Sequence, residues 1–152
     1  MTDVVIVHSV VGAAQLLALV IGYRLAVKQF RMARASAFLE RFHSGEMTRA
    51  RTSVDRWLAA EDLSERLKLI NEAENVALLN DVRMFANFFQ ELGVAWNRKL
   101  VDREYARNCF DFLAVYYWTA LSGWIADYRH RRDPTLYRRF EELYDEMKKI
   151  TQ

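Results

Sequence analysis

Leu78-Leu79-Asn80-Asp81-Val82-Arg83-Met84-Phe85-Ala86-Asn87-Phe88-Phe89-Gln90-Glu91-Leu92-Gly93-Val94-Ala95-Trp96 is the stretch on which the fold turns. Leu78, Val82, Phe85, Phe89, Leu92 and Trp96 step by four, three, four, three and four, which is one face of an α-helix. Leu79, Ala86 and Phe88 widen that face. An apolar stripe this wide needs cover from several neighbours. The spacing therefore predicts a central helix over residues 72–98.

Similar patterns flank it. Toward the C-terminus, Lys99-Leu100-Val101 reads as a turn and Asp102 as the N-cap of a helix running to Thr119. Tyr105, Cys109, Phe112, Leu113 and Tyr116 are its expected inward face, widened by Tyr117-Trp118. Residues 120–129 should continue it with a bend near Ser122-Gly123. Asp133-Pro134 then reads as N-cap and first residue of a last helix, with Leu136, Phe140, Leu143, Tyr144 and Met147 facing inward. Toward the N-terminus, residues 45–60 form a helix on Met47, Ala50, Val54, Trp57 and Leu58, with Arg49, Arg51 and Arg56 outward. A polar connector, residues 61–64, leads to a short helical segment ending at Asn71. Ser44 caps the second helix and Gly45 ends the one before it. One proline and five glycines are too few for the turns of a β-rich domain. The expected fold is all-α.

Residues 4–27 stand apart. Arg24 is the one formal charge among them, and the run meets the roughly 20 apolar residues that a bilayer core requires. A cleavable signal would begin with basic residues, whereas this chain begins Met1-Thr2-Asp3. A buried helix of a globular domain is the other competing reading, and the mean hydropathy of −0.16 averages one apolar helix with a charged body. The basic residues Arg24, Lys28, Arg31 and Arg34 follow the run, and positive charge marks the cytoplasmic side. The expectation is a single-pass anchor in the inner membrane, N-terminus outside and the remainder cytoplasmic. On this reading residues 1–27 are the anchor, residues 28–43 a juxtamembrane helical extension, and residues 44–152 a bundle of four or five helices. Leu25, Met32, Ala35, Leu39 and Phe42 form the expected docking face of the extension. Arg24, Lys28 and Arg31 are placed to meet lipid headgroups, at about 1 kcal/mol each near an anionic surface.

Within the anchor, His8, Gly12, Gln15, Leu19 and Gly22 step by four, three, four and three. Polar side chains at bilayer depth face partners or a water-filled cavity, and small residues let helices approach. This stripe predicts a homo-oligomer, and in a larger ring it would line a pore.

Other chemistry is sparse. The histidines His8, His43 and His130 lie in different segments, with no H-x-x-x-H or C-x-x-C, so no metal or other cofactor is expected. Cys109 is the single cysteine, which excludes an intrachain disulfide, and its apolar surroundings read as core rather than as a nucleophile's site. There is no Gly-rich phosphate loop. HEPN ribonucleases carry an Arg five to seven residues before a His; those positions hold Ser36, Ala37 and Phe38 before His43, and Gly123, Trp124 and Ile125 before His130. Only a degenerate enzyme of that type is compatible. Arg129-His130-Arg131-Arg132 is the densest basic run, able to grip phosphate from RNA, a nucleotide or lipid, or simply to complement the end of a helix. Tyr116, Tyr117, Trp118 and Trp124 can stack bases, but their helical spacing fits a core. Net charge is +2 with acids and bases interspersed, which does not demand a polyanion partner.

Residues 80–93, Leu100-Val101-Asp102-Arg103-Glu104, Phe110, Tyr116-Tyr117-Trp118, Trp124-Ile125, Pro134-Thr135-Leu136-Tyr137 and Phe140 together form a recognisable pattern. It resembles an uncharacterised family, a domain of unknown function, of small bacterial helical proteins, many with one N-terminal membrane helix. The similarity covers about residues 38–147. Its landmarks are an Asn-Phe-Phe-Glu-Glu-Leu-Gly-like run and the Tyr-Trp pair; here Gln90 stands where an acid is common. The resemblance implies fold and anchoring and assigns no reaction. In layout alone the chain is similar to small CRISPR-associated membrane proteins, which implies a role in antiviral defence. The leading expectation is a non-enzymatic membrane protein that self-assembles as scaffold, effector or pore. A sensor of nucleotide or RNA at residues 129–132 is the second reading.

Overall fold

The computed structural model describes the backbone of residues 2–59, 62–71 and 75–151; side chains of residues 1–11, 13, 14 and 150–152 lie outside the described ones. Among the described residues there are six helices and no strand: α1 (Thr2–Phe42), α2 (Gly45–Leu58), α3 (Leu63–Asn71), α4 (Val76–Asn97), α5 (Arg103–Arg131) and α6 (Arg138–Thr151). The fold is all-α, as the periodicities require.

α4 is central. It packs against α2 on one side and α6 on the other, and α5 closes over α6. Val82, Phe85, Phe89, Leu92 and Trp96 of the expected stripe are all buried, as are Ala86 and Phe88. The α4 aromatics meet Phe42 from α1, with ring centroids 5.4 Å from Phe88 and 6.2 Å from Phe85, and Phe110 from α5 lies 5.8 Å from Phe42. Ala35 and Phe42 are buried and Phe38 and Leu39 pack against the same core. The C-terminal part of α1 is thus a core helix, and a boundary at residues 43 and 44 would remove Phe42 from the rings that surround it. Leu25 and Met32, expected on that docking face, are exposed instead.

The caps follow the sequence in two places. Ser44 Oγ accepts from the Met47 N–H at 3.2 Å, and Asp102 Oδ1 from the Tyr105 N–H at 2.9 Å. Gly45 does not end α1; it is the first residue of α2. Three further expectations are corrected. α5 runs unbroken from Arg103 to Arg131 without a bend at Ser122-Gly123. A Cβ at position 123 would lie 2.7 Å from the Leu63 side chain, so this glycine serves the approach of α3. The inward face of α5 is turned by about one residue: Ala106, Phe110, Ala114, Tyr117, Trp118 and Leu121 are buried, while Phe112 is 73% exposed. Phe112 stacks on the exposed Tyr116 outside the core. Finally, Asp133-Pro134 does not open α6. Asp133 accepts from the Thr135 N–H and hydroxyl, a local turn, and α6 starts at Arg138 after Tyr137, which sits at φ 58.

The N-terminus of α6 is capped from another helix. Gln90 Oε1 on α4 accepts from the Arg139 N–H at 3.0 Å and the Phe140 N–H at 3.1 Å. First-turn N–H groups of a helix have no partner of their own, so a side chain supplies one. An acid would serve the same purpose and would also favour the positive end of the helix dipole. Gln90→Leu is expected to cost about 1 kcal/mol, the usual loss on removing a cap. Gln90→Glu should gain about 0.3–1 kcal/mol at neutral pH. Its carboxyl would be held below its unfolded value, so the gain is lost as pH falls through the folded-state pKa. Urea unfolding of both variants at pH 7 and pH 4 checks this; equal behaviour of Leu and Glu would remove Gln90 as the cap.

Candidate functional site

The features with no internal explanation lie along the N-terminal half of α1. Leu16, Leu17, Leu19, Val20, Ile21 and Tyr23 are exposed, Leu19 by 70%, and nothing among the described residues covers them. Phe30 extends this apolar surface past Lys28. Among the described residues no helix is long and apolar enough to cross a membrane. The reading of residues 4–27 as a span falls partly on side chains outside the described ones.

One face of this half is concave. Gln15, Ala18, Leu19, Gly22, Tyr23 and Ala26 line a shallow groove of about 730 Å³. Gln15, Leu19 and Gly22 of the expected stripe fall in it. The side chain of His8 lies outside the described ones. Among the described residues, a Cβ at Gly12 or Gly22 would meet nothing within 4 Å, so no packing contact there calls for either glycine. The heptad reading missed Ala18 and Ala26, which with Gly22 form a small-residue row at steps of four. Such rows let two helix backbones come close. The signal was the i, i+4 spacing, hidden beside the polar Gln15.

Below the groove, Tyr23, Arg24, Val27, Lys28 and Arg31 line a cleft of about 480 Å³ that is closed on the other side by Asp102. The Asp102 N–H donates to the Arg31 carbonyl at 3.1 Å, which ties the α4–α5 corner to α1 at that level. Among the described residues, Arg24, Lys28 and Arg31 have no ion-pair partner.

The basic run at the end of α5 does not converge on one point. Arg129 turns inward: its Nε donates to the Leu136 carbonyl at 2.7 Å and its Nη2 to Glu141 at 2.8 Å, with the guanidinium 5.8 Å from the Trp118 ring centre. Arg131 pairs with Asp127 one turn earlier. His130 and Arg132 are exposed. Of the four stacking candidates, Tyr117, Trp118 and Trp124 are buried and Tyr116 is not.

Within the domain, Tyr117 donates its hydroxyl proton to Asp55 at 2.9 Å. Burial first, and then the Asp55 carboxylate, push its pKa up. Asp81 is buried and pairs with Arg49 at 3.3 Å. These pairs join α2 to α5 and to α4. Among the described residues no three His, Cys, Asp or Glu side chains gather to hold a metal ion. Cys109 is half-buried at the edge of the core.

No curated protein and no solved structure matches the chain. The family model of DUF4760, a domain of unknown function, matches residues 6–147, nearly the whole of the sequence, and the chain belongs to that family.

Proposed function

We propose that α1 anchors this protein in the inner membrane by a single span, N-terminus outside and helical domain cytoplasmic, and that copies assemble there through α1. The role is non-enzymatic, as scaffold, effector or pore. One observation carries the reading: an apolar surface from Leu16 to Leu25 is left uncovered while the domain buries a separate core. Lipid covers such a surface without any further element of the chain. Burial of a large apolar side chain contributes about 1.5–3 kcal/mol, so leaving several of them in water is strongly disfavoured. Tyr23 at the basic end of the run suits the headgroup level. The phosphate reading of residues 129–132 has less support, because Arg129 and Arg131 are already held by Glu141 and Asp127.

Cysteine accessibility tests the anchor. Asp3→Cys in intact cells should react with an impermeant thiol reagent, and Thr151→Cys, like the native Cys109, should not. The opposite pattern overturns the orientation, and release of the protein from membranes by alkaline carbonate overturns the span.

Assembly is tested separately by Gly12→Leu with Gln15→Leu. The pair should remain membrane-inserted and shift from oligomer toward monomer in mass photometry. Interhelical hydrogen bonds in membranes contribute about 0.6–2 kcal/mol, enough to move the equilibrium visibly. A wild type that is monomeric in both detergent and nanodiscs removes the assembly reading.

A further inference from the structure

We propose that the cleft between α1 and the α4–α5 corner takes the phosphate of an anionic phospholipid, which holds the adjoining end of the domain against the headgroup layer. This rests on the membrane reading above; it gives the headgroup contact of Arg24, Lys28 and Arg31 a defined cleft and the domain a part in forming it.

The geometry gives the direction. α1 and α4 run antiparallel: Phe42 meets Phe85 and Phe88, Arg34 shares a cleft with Val94 and Arg98, and the Arg31 carbonyl meets the Asp102 N–H. Moving along α1 toward its N-terminus therefore means moving along α4 toward its C-terminus. The α4–α5 corner is the part of the domain adjoining the exposed apolar half of α1.

The helical phase gives the side. Arg24, Lys28, Arg31, Ala35, Phe38 and Phe42 step by four, three, four, three and four. The three basic residues thus continue the face by which α1 meets the domain. They point into the space under the corner instead of being spread round the helix. Their guanidinium and ammonium groups suit a phosphate, which arginine binds in a bidentate fork and lysine as a point charge.

The charge in the cleft favours an anion. Three cations face one carboxylate, Asp102, whose Oδ1 is engaged by the Tyr105 N–H. The corner itself exposes Arg98 and Lys99. Lys99 sits at φ 54, a left-handed position that glycine or asparagine occupies with less strain. Its N–H donates to the Trp96 carbonyl at 3.0 Å and that of Leu100 to the Ala95 carbonyl at 2.8 Å, so the corner is a formed turn and presents its lysine from a fixed place. Of the nearby acids, Glu91 is held by Arg41, Glu142 by Arg138 and Arg139, and Glu146 by Lys149, while Glu104 and Asp145 are exposed.

The test uses the full chain in nanodiscs of phosphatidylcholine with and without phosphatidylglycerol, with retained lipid counted by native mass spectrometry. The wild type should keep phosphatidylglycerol several-fold over phosphatidylcholine, and raising the salt of the incubation should weaken that preference. Arg24→Gln/Lys28→Gln/Arg31→Gln should abolish it, Arg98→Gln/Lys99→Gln should reduce it, and Arg56→Gln on α2 should leave it intact. Circular dichroism confirms that each variant is folded, and the corner pair leaves the α1 charges untouched. A chain that inserts into both discs but retains the two lipids equally overturns the cleft and leaves the anchor standing. A preference that survives both basic variants also overturns it. A chain that enters neither disc overturns the anchor and the cleft together.

Discussion

Gly93→Ala should destabilise the protein at the upper end of the about 1–3 kcal/mol typical of overpacking, or beyond it. Gly93→Leu should prevent the domain from folding. A Cβ at this position would stand 2.1 Å from the Arg139 carbonyl oxygen and 2.7 Å from its carbon. No rotamer relieves the clash, because the offending atom is Cβ itself and its neighbour is backbone. α6 would have to move off α4, which breaks the two hydrogen bonds to Gln90 and uncovers Phe140, Leu143 and Met147. The sign is what makes the test decisive. In a helix without such a neighbour, alanine is more favourable than glycine by about 1 kcal/mol. Gly45→Ala, where a Cβ meets open space, is the control and should be neutral or slightly stabilising. Urea unfolding of the full chain in detergent measures both; an unaffected Gly93→Ala would mean that α4 and α6 do not approach as described.

Phe89→Ala is expected to cost about 3–5 kcal/mol, the usual range for a buried phenylalanine. Phe89 is fully buried, stacks on Phe140 of α6 at 4.7 Å, and packs edge-on to Phe85 and Phe88 at 5.5 and 5.2 Å. Tyr117 of α5 lies 6.0 Å away and Phe42 of α1 6.5 Å away. Loss of this ring therefore opens the core at the meeting of four helices. Phe112→Ala is the matched control. Its ring is largely in solvent, so the change should stay within about 0.5 kcal/mol. A large cost at Phe112 with none at Phe110 would restore the face of α5 read from the sequence.

That α5 face shows where sequence reading runs out. α4 was legible because its apolar residues keep to one wide stripe with polar Asn80, Arg83, Asn87 and Glu91 between them. α5 carries apolar residues nearly all round, Tyr105 and Cys109 beside Ala106 and Phe110, so periodicity could not choose between neighbouring faces. The choice is made by packing: small Ala106 and Ala114 let α5 approach its neighbours, and small residues carry little weight in a hydrophobic pattern. The start of α6 was misplaced for a different reason. Asp133-Pro134 has the form of a helix start, but the helix takes its cap from Gln90, far away in the chain, and no local signal reports that. Gln90 and Gly93 were visible as landmarks without a reason, because the reason is their contact with Arg139. In the cleft, Arg24, Lys28 and Arg31 were legible as a basic flank, whereas Asp102 enters only through the antiparallel course of α1 and α4.

The unbroken course of α1 from Thr2 to Phe42 has a mechanical meaning. Its C-terminal turns are locked in the core by Ala35 and Phe42, so the helix and the domain rotate as one body. A helix stores angle at about 100° and 1.5 Å per residue. Whatever grips the N-terminal half therefore sets the azimuth of the domain, and residue count serves as the gear. One alanine inserted after Gln29 would swing the domain by about 100° about the shaft, while four would bring it back to within about 40° of its first bearing. With no swivel between grip and domain, copies held by the same face of α1, as in the proposed assembly, would present their domains at one common angle. The surface that each turned toward the next would then be decided by the phase of the helix, before any contact between the domains was made.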